Sequence, residues 1–295
     1  MNNEMYEIVK SRKGFIAALD QSGGSSGKTL EKYGIPDSEY QTDEEMFNLI
    51  HEMRKRVLTS KVFNKDRIIG AILFEKTMLS KINDKFTADY LWEDKKIVSF
   101  LKIDKGLLGE FNGVKLMNEI PNLVETLKLA KEKNIFGTKM RSVIYEANPL
   151  GINQVIDQQF QLAKIICENN LVPIIEPEVD INCKDKELCE QIMKEEIIKH
   201  LNEWDEKNII MFKFTLPTVP NYYYDLYNYK FVLKIVALSG GYTNELACAL
   251  LALNNKMIAS FSRALLENLR VTQTEEEFDN CLNKEIQKIY EASIT

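Results

Sequence analysis

Eight strand-length apolar runs, amphipathic helical patterns between them, and a polar or charged residue near the end of almost every run predict a (β/α)8 barrel, the TIM form of the α/β class. The runs are FIAALD (15–20), IIGAILF (68–74), IVSFLKID (97–104), IFGTKMR (135–141), LVPIIEPE (171–178), IIMFKFTL (209–216), KIVALSG (234–240) and MIASFSRA (257–264). They are rich in Ile, Val and Phe, as strands buried on both faces are. Between them, Thr42-Asp-Glu-Glu45 reads as a capping box, and Met46, Ile50, Met53 and Val57 follow at helical spacing. Ile156, Phe160, Ala163 and Cys167 trace a second helical stripe. No linker rich in Pro, Ser or charge divides the 295 residues, so a single barrel domain is expected over 1–295, with 1–14 a leading helix and 265–295 a C-terminal helical tail. A doubly wound open sheet uses the same alternation, but a barrel brings the charged strand ends to one mouth, which favours closure.

Composition narrows the function. The net charge is −6 with both signs mixed along the chain, which offers neither a basic face for nucleic acid nor a polybasic end for a membrane. The opening segment MNNEMYEIVKSRKG lacks the apolar stretch of a signal peptide, and no apolar run approaches the roughly 20 residues of a membrane span, so a cytoplasmic protein is expected. The five cysteines, Cys167, Cys183, Cys189, Cys248 and Cys281, have no CxxC spacing and read as reduced thiols. Only His51 and His200 are present, whereas catalytic zinc sites usually take two or three histidines, so neither a metal nor another cofactor is expected.

The chemistry is carried by the strand ends: Asp20, Glu75, Lys102 with Asp104, Lys139 with Arg141, Glu176 with Glu178, Lys213, Ser239 and Arg263. Pairs at i and i+2 share a face of their strand. A single charge closing a strand usually just meets solvent, but this many is a pattern. Lys213 is the sharpest case, since apolar residues flank it inside IIMFKFTL, where an ammonium is costly to bury. A desolvated lysine near a second cation can attack a ketone to form an imine. Lys139 and Arg141 would supply that cation, Glu176 and Glu178 would shuttle protons, and Asp20 would act as base for a hydroxyl proton.

Ser239-Gly-Gly241 precedes a helical stretch starting near Thr243, and Ser260-Phe-Ser-Arg263 ends the eighth run. Loops after strands seven and eight commonly hold a phosphate in this fold, and Arg263 would clamp its oxygens. Ser22-Gly-Gly-Ser-Ser-Gly27-Lys28-Thr29 nearly matches the P-loop pattern, with Ser22 where the first glycine belongs. A P-loop protein leaves the other strand ends unexplained. Ser22, Ser25 and Lys28 read better as lining for a second phosphate across the mouth.

In this order and spacing, LDQSGGS, ILFEKTM, LKIDKG, TKMR, VPIIEPE, ALSGG and SFSRAL resemble the class I fructose-bisphosphate aldolases, most closely their shorter bacterial branch, over roughly residues 10–270. The resemblance implies reversible cleavage of fructose 1,6-bisphosphate to dihydroxyacetone phosphate and glyceraldehyde 3-phosphate, in glycolysis or gluconeogenesis. By it Lys213 is the Schiff-base lysine and Glu176 the acid/base of imine chemistry. Lys139 stabilises developing charge, and Asp20 contacts the C3 and C4 hydroxyls. Lys102 and Arg141 bind substrate, Ser239, Gly240 and Arg263 surround the C1 phosphate, and Ser22 and Ser25 lie near the C6 phosphate. The expected partners are sugar phosphates and, since relatives are often tetramers, further copies of the chain. Two positions depart from the family: Gln21 stands where many animal members carry Glu, and the C-terminal tyrosine of those enzymes is missing. Another Schiff-base barrel, such as a tagatose-bisphosphate aldolase or a transaldolase, is the alternative, with a paired phosphate site favouring a bisphosphate substrate.

Overall fold

The computed structural model describes residues 2–22 and 24–295, with Gly24 and Ser25 described by their backbone alone. Eight parallel strands follow one another in chain order around a barrel: β1 (Phe15–Leu19), β2 (Ile68–Leu73), β3 (Val98–Lys102), β4 (Gly137–Ile144), β5 (Val172–Val179), β6 (Ile210–Thr215), β7 (Val232–Leu238) and β8 (Ile258–Ala259). The seam between β8 and β1 is closed where the Ala18 N–H donates to the Phe261 carbonyl at 3.1 Å. The helices used below are α1 (Asn3–Ser11), α2 (Gly24–Tyr33), α3 (Asp43–Thr59), α4 (Thr87–Glu93), α5 (Leu123–Glu132), α6 (Pro149–Glu168), α7 (Lys186–Asn202), α8 (Asn244–Leu251) and α9 (Glu275–Ser293).

Local chemistry sets the helix starts. Thr42 and Glu45 form the reciprocal capping box expected at the head of α3, and Thr274 with Glu277 forms another at α9. Asn148 accepts from the amides of Leu150 and Gly151, with Pro149 at the first helical position of α6. Thr243 caps α8.

Two apolar layers result. Outside the barrel, the stripes Met46, Ile50, Met53 and Val57 of α3 and Ile156, Phe160 and Ala163 of α6 pack against the strands. Inside, Ile16 and Ala18, Val98 and Phe100, Val172 and Ile174, Met211 and Val236 form a separate core. Strand side chains alternate with period two, so the next inward positions are Asp20, Lys102, Glu176 and Lys213. Parallel register pairs Lys102 with Lys139 and Arg141 with Glu176, which sets the charged layer of neighbouring strands side by side above the apolar one.

Two strands differ from the sequence reading. β4 runs on to Ile144 because Val114 and Lys115 pair antiparallel with Ile144 and Val143. β8 is only two residues long, because the chain turns at Ser262 and Arg263–Leu266 winds into a short helix. Arg-Ala-Leu-Leu are good helix formers, and a strand reading of that run overshoots them. Among the described residues, no helix is long and apolar enough to cross a membrane.

Helix α1 plugs the end of the barrel opposite the charged layer, packing Met5, Ile8 and Val9 onto the inner core, with Val9 fully buried. Val9→Asp is therefore expected to cost about 3 to 5 kcal/mol of unfolding free energy, since it buries a carboxylate without a partner. A lowered urea midpoint would show this, whereas an unchanged midpoint would mean that α1 does not seal the floor.

Candidate active site

The mouth of the barrel opens into a cavity of about 550 Å³ floored by the strand-end charges. At its base four groups form a chain of alternating sign. Lys213 Nζ lies 3.0 Å from Glu176 Oε1, Glu176 Oε2 lies 3.0 Å from Lys139 Nζ, and Lys139 Nζ lies 2.7 Å from Asp20 Oδ2. Asp104 adds a third carboxylate 3.8 Å from Lys139, and Lys102 folds back onto it, 2.7 Å from Oδ1 and donating to its backbone carbonyl at 2.8 Å. Lys139, Glu176 and Lys213 are each less than 5 % exposed, which places the whole chain out of bulk water.

Burial opposes ionisation of Asp20 and Lys139, and the attraction of their charged neighbours overrides it. Burial pushes the Asp20 carboxyl up, but the ammonium groups of Lys139, Lys213 and Lys102 together hold it well below the usual carboxylate range. Burial pulls Lys139 down, and the carboxylates of Asp20, Glu176 and Asp104 raise it well above an ordinary lysine. The sequence reading paired Lys213 with a neighbouring cation. Instead Glu176 stands between Lys213 and Lys139, so its carboxylate can exchange a proton directly with the Lys213 nitrogen. Glu178 is engaged elsewhere: Arg141 Nε donates to its Oε2 at 2.5 Å, which holds the guanidinium above its ordinary range despite burial.

The phosphate-binding candidates sit at the rim. Ser239 is buried, and its carbonyl accepts from Tyr242 N–H at 2.9 Å in a tight turn. Gly240 and Gly241 have φ of +60° and +120°, and a Cβ on Gly240 would lie 2.5 Å from Ile181 Cγ2, so both conformation and space require glycine. The Arg263 guanidinium approaches Gly241 and is exposed to the cavity. Across the mouth, Ser22 and Lys28 line the same cavity, while the Ser25 side chain lies outside the described residues. The P-loop alternative is set aside, since residues 24–33 form helix α2 at the mouth of a closed barrel. Seven cations and four carboxylates line the described cavity, a local positive surplus in a chain of net charge −6.

Four residues to which the sequence assigns no role support the floor. Asp104 is the shared partner of Lys102 and Lys139. Arg54, on α3, is 1 % exposed and donates to Thr77 Oγ1 at 2.8 Å, to the Gln21 carbonyl at 2.5 Å and to Gln21 Oε1 at 3.2 Å. Burial lowers its guanidinium to about 10, with Asp20 pulling the other way. Gln21 passes this anchorage on, since its Nε2 donates to Ser262 Oγ at 2.6 Å and ties the end of β1 to the turn before Arg263. Gln159, on α6, accepts from the backbone of Glu176. Arg54 and Gln159 both fall inside apolar helical stripes, which is the one signal in the sequence that marks them as buried.

Comparison with known proteins gives the family and the fold. A family model described as fructose-bisphosphate aldolase class-I matches residues 1–218. A fructose-bisphosphate aldolase class 1 from Clostridium acetobutylicum is 58 % identical over 295 residues, covering all of both chains. Among solved structures, the fructose-bisphosphate aldolase from Plasmodium falciparum, crystallised with TRAP and a small-molecule inhibitor, superposes with a TM-score of 0.75 over 99 % of this chain and 94 % of that one. At 19 % identity, this likeness concerns the fold. The chain therefore belongs to the class I fructose-bisphosphate aldolases, built as a (β/α)8 barrel.

Proposed function

We propose that the chain cleaves fructose 1,6-bisphosphate, reversibly, to dihydroxyacetone phosphate and glyceraldehyde 3-phosphate through an imine on Lys213. The observation that carries this reading is the buried Lys213–Glu176–Lys139–Asp20 chain, with a carboxylate oxygen 3.0 Å from the Lys213 nitrogen.

The steps follow from the positions. Lys213 Nζ adds to the C2 carbonyl, and Glu176 supplies the proton with which the carbinolamine oxygen leaves as water. The protonated imine is then an electron sink. Asp20 takes the C4 hydroxyl proton, the C3–C4 bond breaks towards C2, and glyceraldehyde 3-phosphate departs. Protonation of the enamine at C3 and hydrolysis of the imine release dihydroxyacetone phosphate. Lys139, between Asp20 and Glu176, offsets negative charge as it moves across the site. The described lining of the cavity contains neither histidine nor tyrosine, so proton transfer rests on its carboxylates and lysines.

The two ends of the substrate fit the two sides of the rim. Ser239, Gly240 and Arg263 would hold the C1 phosphate, and Ser22, Ser25 and Lys28 the C6 phosphate, with Lys102 and Arg141 between them. A reversible cleavage of this bisphosphate supports reading the chain as an enzyme of glycolysis and gluconeogenesis that works in the cytoplasm.

Two experiments test the reading. With excess EDTA present, cleavage of fructose 1,6-bisphosphate should persist, and borohydride added during turnover should leave an adduct on Lys213 detectable by mass. Lys213→Met should lose both. Activity abolished by EDTA, or an adduct on another lysine, would overturn the assignment.

The second experiment uses pH. The depressed Asp20 contributes stability above about pH 4 and loses it as pH falls through its folded value, while the raised Lys139 contributes below about pH 10. Lys139→Met strips the cluster of its central cation and is expected to cost about 3 to 5 kcal/mol near pH 7. Without its ammonium partner, Asp20 takes up a proton at higher pH in the folded variant, so the deficit against the native chain should shrink as pH falls from 7 to 4. Urea unfolding at pH 7 and pH 4 measures the difference, and a deficit that grows on acidification would contradict it.

A further inference from the structure

Helix α6 packs against β4 and β5 from outside the barrel through Ile152, Val155, Ile156, Phe160, Ala163 and Ile166. Gln159 lies within that stripe and is fully buried. Its Oε1 accepts the Glu176 backbone N–H at 2.8 Å, while its Nε2 has no partner among the described residues. Orphaned buried donors are rare in folded proteins, and an apolar side chain of similar length would avoid them here. What an apolar residue could not do is accept from the Glu176 amide.

β5 keeps its register with β4 through Arg141 and Glu176, and Gln159 adds a further acceptor to the Glu176 amide from outside the barrel, whereas the pairing of β5 with β6 stops short. The register of β5 with β6 ends at Ile174 with Met211 and Ile175 with Phe212, one residue short of Glu176 and Lys213. Pro177 then offers no N–H at all. Further along, the Thr215 hydroxyl donates to the Val179 carbonyl at 2.6 Å and bridges the two strands again. Beyond Ile175, β5 is thus held by the β4 ladder, by the Thr215 hydroxyl and by Gln159.

We propose that Gln159 is a positioning residue for the aldol reaction, acting through the Glu176 backbone to hold its carboxylate between Lys213 and Lys139. The geometry leaves little slack, because each carboxylate oxygen stands 3.0 Å from a lysine on a different strand. Loosening the backbone at Glu176 lets the carboxylate collapse towards one lysine and desert the other. The steps that suffer are those in which Glu176 passes a proton to or from the carbinolamine, whereas the phosphate contacts at the rim are untouched.

This inference rests on the assignment of Lys213 and Glu176 above, and its test separates the two. Native chain and Gln159→Met are compared for kcat and KM on fructose 1,6-bisphosphate, for the rate at which borohydride-trappable imine forms, and for thermal midpoint. The expected result is a kcat and an imine-formation rate lower by about tenfold or more, with KM within about twofold, a part of the several-hundredfold effect that a proton-transfer group typically carries. If Gln159→Met does not fold, Gln159→Asn withdraws the acceptor by one carbon while keeping an amide in place, and the same result is expected. A variant with native kcat and native imine-formation rate overturns the proposal even if its thermal midpoint falls, since that pattern is purely structural. A native chain that forms no adduct on Lys213 overturns the aldolase assignment, and this inference with it.

Discussion

The structure depends on one buried carboxylate shared by two ammonium groups. Glu176 reaches Lys213 with one oxygen and Lys139 with the other, and Lys139 passes the alternation on to Asp20. Isolated charges at this depth would be prohibitively costly, and a single pair often repays its desolvation poorly. A chain in which every charge has a neighbour of opposite sign is tolerable, provided that four different strands deliver their members at one height. Period-two alternation and parallel register do this: an apolar layer of Ile16, Phe100, Ile174 and Met211 is followed by the charged layer. Closure of the barrel and placement of the chemistry are thus the same constraint.

Charge is graded from floor to rim. On the floor, Lys102, Lys139 and Lys213 match Asp20, Asp104 and Glu176 in number, while Lys28, Lys32 and Arg263 at the rim have no such balance in the cavity lining. On the proposed function, a bisphosphate is attracted by the rim and meets, at depth, a buried chain of carboxylates and lysines. Gly240 serves the same end by mechanical means, because the turn after β7 can approach Ile181 only without a side chain.

Much of this was legible in the residues, for identifiable reasons. Strands buried on both faces are continuous apolar runs, so their order and number could be read directly, and Lys213 stood out because an ammonium inside such a run demands an explanation. Residues on the strand ends were therefore found. What escaped was support from outside the barrel. Arg54 and Gln159 sit in apolar helical stripes, and periodicity predicts that they are buried without saying what they touch, since their partners Gln21 and Glu176 are 33 and 17 residues away. The interposition of Glu176 between the lysines was equally hidden, because alternation assigns a face and not a distance. β8 was overestimated because helix formers directly follow its apolar residues.

The central claim is that the Lys213 nitrogen is the reacting atom and Glu176 its proton partner. A crystal structure of the borohydride-reduced complex with dihydroxyacetone phosphate tests it most directly. The account predicts a continuous bond from Lys213 Nζ to C2, a Glu176 oxygen within about 3 Å of that nitrogen, and the phosphate against Ser239, Gly240 and Arg263. A bond to Lys139 or Lys102, or a Glu176 carboxylate turned away from the linked nitrogen, would contradict it.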